Sequence, residues 1–137
     1  MATKAFAAQS PTTPLAATEI ERRAVGPKDV AIDILFCGVC HSDLHAARGE
    51  WPGQRYPLVP GHEIVGRVAE IGSGVTRHKV GDIVGVGCMV DSDRTCPSCR
   101  AGLEQYCDSG FTQTYGGHPS GEGEDTYGGH SAAIVVD

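Results

Sequence analysis

An aspartate and three cysteines in one short stretch, Asp93-x2-Cys96-x2-Cys99-x7-Cys107, have the spacing of a metal-binding loop. Three thiolates on a tight turn can hold sulfur about 2.3 Å from a single zinc ion, with a fourth donor completing the tetrahedron. A site closed by four protein ligands has no position left for a substrate. Its chemistry is therefore structural, tying together a lobe too small to be held by apolar packing. Asp93 offers a harder oxygen donor than its sulfur neighbours, and Cys88 competes with it for the fourth place. A second, more dispersed set is Cys40, in Cys40-His-Ser-Asp-Leu-His45, with His62, in Gly61-His62-Glu63. A thiol and an imidazole are two of the three protein ligands in the Cys₂His arrangement that leaves zinc one position open for chemistry.

Strands and one short helix must bring these residues together. Val30, Ile32, Ile34 and Phe36 alternate with other residues along Asp29–Phe36, the pattern of a half-buried strand. His41–Arg48 reads as a short helix, with Ser42 or Asp43 as its cap and Gly49 as its end. Gly61–Gly72 and Val80–Val90 are rich in Val and Ile and broken by Gly, as in strands of a curved sheet. Ser131–Val136 makes a last strand, and the polar, Gly-rich segment Gly116–Gly129 reads as a loop. The sequence thus predicts a mainly β, mostly antiparallel and partly closed structure with little helix. A G-x-G-x-x-G dinucleotide fingerprint is missing: the nearest run, Gly72-Ser-Gly-Val-Thr-Arg77, has Arg where the third Gly belongs.

Composition narrows the function. The 137 residues suit one domain, and a net charge of −6 argues against a nucleic-acid footprint or a basic membrane surface. With 40% hydrophobic and 20% charged residues, the chain can form a folded core. No signal peptide or long apolar span is evident, so the expected address is cytoplasmic, where six cysteines point to metal or catalysis before disulfides. Cys37 and Cys88 read most simply as small buried hydrophobes. His78, His118 and His130 stand in no motif and read as surface or loop residues.

C-G-V-C-H-S-D-L-H, V-P-G-H-E-I-V-G-R-V, V-G-D-I-V-G-V-G and the C-P-S-C…Y-C-D loop, in that order, resemble the zinc-dependent alcohol dehydrogenases of the medium-chain dehydrogenase/reductase superfamily. The likeness is greatest to the cinnamyl-alcohol-dehydrogenase-like branch, with its NADP-dependent aldehyde reductases, and covers almost the whole chain. It implies a GroES-like catalytic domain over 1–137, a partly open β barrel with short helices and a structural-zinc lobe at about 88–110. It also implies that primary alcohols and aldehydes are interconverted with NADP(H). By position, Cys40 and His62 would hold a catalytic zinc, with Glu63 able to approach it. Ser42 would hydrogen-bond the substrate oxygen, and His45 would pass the proton to solvent. Asp43 would orient His62, His41 would meet the cofactor pyrophosphate, and Trp51 would line the substrate pocket. Asp93, Cys96, Cys99 and Cys107 would hold the structural zinc.

Two departures from the family pattern shape the expectation. Asp93 stands where close relatives have the first of four cysteines, so zinc is expected there with reduced affinity. In the family a further Cys completes the catalytic site from beyond the position of Asp137, and a Rossmann domain brings the cofactor; neither lies in this sequence. The favoured expectation is a truncated chain, the alternative a small protein that has kept only the barrel, with partial metal occupancy at Cys40 and His62 and no competence for turnover. Its exposed cleft wall would permit self-association. The competing readings are a non-catalytic zinc-binding barrel acting through association and, less favoured, a zinc hydrolase using Cys40, His62 and Glu63.

Overall fold

The computed structural model describes residues 1–117 and 125–137. In chain order its strands are β1 (Ala2–Ala7), β2 (Ala16–Glu21), β3 (Val30–Gly38), β4 (Glu63–Ile71), β5 (Ile83–Val86), β6 (Met89–Asp91), β7 (Thr112–Gln113) and β8 (Ala133–Val136). Helix α1 (His41–Ala47) follows β3; the short helix α2 (Pro97–Arg100) and a 3₁₀ turn (Glu104–Tyr106) lie between β6 and β7. Every strand pairing is antiparallel, as the sequence predicts. The main sheet runs β5-β4-β3-β8, while β1-β2 and β6-β7 form two small sheets.

The main core is the inner face of the four-stranded sheet, where Val30, Ile32, Ile64, Val68 and Ile134 are buried. Non-directional apolar burial of this kind supplies most of the drive to fold. The sheet does not close on itself. Its free edges, β5 and β8, both line a cavity of about 660 Å³, and the barrel is partly open there. None of the predicted metal ligands borders that cavity.

Phe36 departs from the predicted alternation. Ile34 pairs with Gly66 and Phe36 with Val65, so Leu35 is an extra residue in β3. A bulge of one residue sends every later side chain to the opposite face. Cys37, not Phe36, therefore packs on the core, and Phe36 is 72% exposed. The sequence reading assigns no strand to residues 2–21, yet β1 lies there with Thr3, Ala5 and Ala7 buried in strict alternation. Small side chains carry too little hydrophobic contrast to announce such a strand. Among the described residues no helix is long and apolar enough to cross a membrane.

Two candidate metal centres

Cys40 and His62 come from different elements, and one carboxylate ties them together. Cys40 itself caps α1, in place of the predicted Ser42 or Asp43. Asp43 sits at the third helical position, where its Oδ2 accepts a hydrogen bond from the Cys40 backbone N–H at 2.9 Å. Its Oδ1 accepts one from Gly61 N–H at 3.0 Å, across to the segment that leads into β4. Gly61 has φ of +105°, a backbone that disfavours any side chain. An added Cβ would also stand 2.7 Å from Cys37 Sγ and 2.8 Å from the His130 ring. This tight turn delivers His62 beside Cys40, and β4 begins at Glu63.

Cys40, His62 and Glu63 each offer a donor, and the three donor atoms lie within 4.8 Å of one another. Sulfur, imidazole nitrogen and carboxylate oxygen are all zinc ligands, so the set fits a borderline divalent ion. Ser42 Oγ lies 3.3 Å from His62 Nε2, and the Tyr115 hydroxyl donates to Ser42 Oγ at 3.3 Å. Tyr115 also stacks on the His62 ring, with centroids 5.5 Å apart. Burial pushes its phenol well above the usual range, outweighing the hydrogen bond to Ser42, and the neighbouring Asp43 adds to the rise. This group opens into a cavity of about 180 Å³ lined by Ser42, Trp51, His62, Cys88, Phe111 and Tyr115.

The remaining predicted residues lie around this centre. His45 bonds through Nδ1 to the Glu50 carboxylate and stacks on Trp51 at 5.3 Å between centroids. His41 is exposed on the first turn of α1. Cys88 is exposed and faces the cavity, which corrects its reading as a buried hydrophobe. Cys37 is half-buried, and burial raises its thiol above the ordinary value.

The second centre is local. Asp93, Cys96, Cys99 and Cys107 bring four donor atoms within 4.8 Å of one another, and Cys88 is not among them. Asp93 Oδ1 accepts from the N–H groups of Thr95 and Cys96 at 2.9 and 3.0 Å, and Oδ2 accepts from Ser109 Oγ at 2.9 Å. Those bonds hold the carboxylate far below the usual carboxylate range. Backbone N–H groups also point at sulfur: Cys99 N and Asp108 N at Cys96, and Asp93 N at Cys107. The two N–H groups at Cys96 lower its thiol pKa, as donors aimed at an anionic sulfur must. A loop built to hold negative sulfur and a locked carboxylate fits a cation. Strands β6 and β7 bracket it.

Two residues escaped the sequence reading. Tyr115 has no motif of its own, and His130, in a loop as expected, is not at the surface: its side chain is only 15% exposed. The one available signal is that Thr-Tyr-Gly-Gly-His occurs twice, at Thr114–His118 and Thr126–His130. His118 lies outside the described residues.

Residues 26–137 match the alcohol dehydrogenase GroES-like domain family. The chain is 59% identical over 134 residues to NADP-dependent alcohol dehydrogenase C 1 of Mycolicibacterium smegmatis, covering 97% of this chain and 38% of that protein. It is 53% identical over 136 residues to aldehyde reductase YahK of Escherichia coli, covering 99% and 39%. Among solved structures, the cinnamyl alcohol dehydrogenase of Helicobacter pylori complexed with NADP(H) superposes with a TM-score of 0.95 at 45% identity, covering all of this chain and 40% of that one. The chain thus spans well under half the length of the relatives it matches.

Proposed function

Because the chain belongs to the alcohol dehydrogenase GroES-like domain family, we propose that it forms the substrate- and zinc-binding part of an NADP-dependent alcohol dehydrogenase or aldehyde reductase, acting on small primary alcohols and aldehydes. The observation that carries this reading is the convergence of the Cys40, His62 and Glu63 donors, with His62 and the neighbouring Ser42 lining the cavity. When bound, zinc at these donors supplies Lewis acidity toward a carbonyl or alcohol oxygen, and NADP(H) supplies the hydride. This chain's own residues position those donors. Asp43 fixes both ligand loops through their backbones, and Tyr115 holds His62 by stacking and Ser42 by its hydroxyl.

Ser42 Oγ, open to the cavity, hydrogen-bonds the substrate oxygen. His45, paired with Glu50 at the protein surface, exchanges the proton with solvent. Trp51, stacked on His45, forms part of the wall against which the substrate's apolar body lies. His41 is placed to donate to the cofactor pyrophosphate. Asp93, Cys96, Cys99 and Cys107 hold a structural zinc. A hydrolase would need Glu63 as a free base, whereas its oxygen lies within reach of the same ion as Cys40 and His62. An association module has no use for the line from Tyr115 through Ser42 to His62.

The test is cobalt(II) titration of the 137-residue chain, followed by visible absorption. Two sites are expected, one with the intense charge transfer of three thiolates and one with that of a single thiolate. C40S should abolish only the second. Cinnamaldehyde or cinnamyl alcohol should then perturb the d–d bands of the one-thiolate site. Occupancy of the one-thiolate site is expected to be partial, and identical spectra of wild type and C40S at saturating cobalt(II) refute the enzymatic reading.

A further inference from the structure

Next to the Cys40 centre lies a half-buried imidazole, its Nε2 enclosed, for which the proposed reaction has no role. We propose, resting on the functional reading above, that His130 is a positioning residue for this centre, its Nε2–H donating to Asp43 Oδ2 while its ring braces Gly61. His130 Nε2 is fully enclosed and has no hydrogen-bond partner among the described residues; Asp43 Oδ2 stands 3.8 Å away. An unpartnered buried nitrogen is rare in folded proteins. A shift of about 1 Å brings this pair to ordinary hydrogen-bond distance. Asp43 is itself 3% exposed, and its two N–H bonds come from Cys40 and Gly61. A third donor at Oδ2 completes the set for a carboxylate shut away from water.

A second contact makes the position matter. The His130 Cδ2 edge occupies the space that a Cβ on Gly61 would need. The backbone fixes this arrangement: His130 N–H donates to Pro60 O at 3.0 Å, and Gly129 N–H to Gly61 O at 2.8 Å. The ring thus touches the residue preceding His62 and faces the carboxylate that anchors Cys40. Loosening it frees both ligands at once. In metal sites the groups that orient ligands commonly control affinity by 10–100-fold. Phe at this position would fill the same space without the nitrogen; Gln would return a donor.

The experiment titrates cobalt(II) into wild type, H130F and H130Q, with the two sites told apart by thiolate charge-transfer intensity. H130F should weaken the one-thiolate site by about 10–100-fold, H130Q should recover most of that loss, and the three-thiolate loop should bind equally in all three. Equal affinity of wild type and H130F at the one-thiolate site overturns the proposal. So does a parallel loss at both sites, which would mark general destabilisation. In the metal-free chain, Asp43→Asn should shift the His130 Nε2 resonance in ¹⁵N ring spectra, and an unmoved resonance overturns the pairing. Failure of the wild type to fill the one-thiolate site would instead sink the functional reading itself, and the role of His130 with it.

Discussion

Arg22→Met removes the buried cation that holds the turn behind His62. The guanidinium is buried and donates to Ala133 O at 3.0 Å, Tyr127 O at 2.6 Å, Gly128 O at 2.9 Å and Ser131 Oγ at 2.8 Å. Burial lowers its pKa to about 10, a measure of how far the charge is drawn from water. Each of the three carbonyls loses a charged donor, and a net of roughly 1 kcal/mol per bond, more where an acceptor is stranded, gives a loss of about 3–5 kcal/mol. Against a stability on the order of 5–15 kcal/mol this is severe but measurable by urea unfolding. Arg22→Lys should recover little, because a single ammonium cannot fork to four acceptors. The loss should reach the metal centre too, since Gly128, Gly129 and His130 pair with Val59, Gly61 and Pro60, immediately before His62. A loss below about 1 kcal/mol, or full recovery in the Lys variant, would show that water satisfies these carbonyls and refute the reasoning.

Asp93→Ala removes the oxygen donor and the acceptor for the N–H groups of Thr95 and Cys96. Zinc affinity at the loop is expected to fall by at least about 100-fold, beyond the usual effect of losing an orienting group. Chelator competition measures this, and full retention of affinity would mean that another residue takes the fourth place. Asp29, buried and bonded to Arg23 and Gly26 N–H, has its carboxyl pKa lowered mainly by the Arg23 hydrogen bond. Its contribution is therefore present above the unfolded carboxyl range and lost as pH falls through the lower folded value. Asp29→Asn should flatten the acid limb of a stability–pH curve below about pH 4, and an unchanged limb would assign the acid sensitivity to other groups.

Legibility in the sequence followed distance along the chain. Cys96, Cys99 and Cys107 were readable as one cluster from spacing, because one short loop carries them, while the fourth place stayed open between Asp93 and Cys88. Cys40 and His62 were readable as a dispersed pair, weak evidence until the family resemblance strengthened it, since their meeting depends on Asp43 bonding to Gly61. The strands bearing Ile32 and Val68 were plain from their pattern. Phe36 was placed on the wrong face because one extra residue, Leu35, leaves no mark in composition while inverting the alternation. Arg22 stands in no motif, and only the turn at 127–133 gives it acceptors. His130 carries only the repeated Thr-Tyr-Gly-Gly-His as a local signal, and a repeat does not disclose how an imidazole is enclosed. Its burial arises from the pairing of residues 128–130 with 59–61.

The two centres consequently rest on different parts of the fold. At the loop, the N–H groups of Asp93, Cys99 and Asp108 that face sulfur belong to the same short segment as the ligands. A metal bound there would couple its binding to local folding and require little from the sheet. The Cys40 centre has no such independence. Its geometry requires α1 to be docked, β4 to be in register and the 127–133 turn to be held by Arg22, with Asp43 joining the first two. Rigid elements hold reacting groups more exactly than loops do, at the cost of coupling the site to the whole domain. Substitutions far from Cys40 should therefore erode its metal binding while sparing the loop, and the ratio of the two occupancies reports on packing of the domain itself.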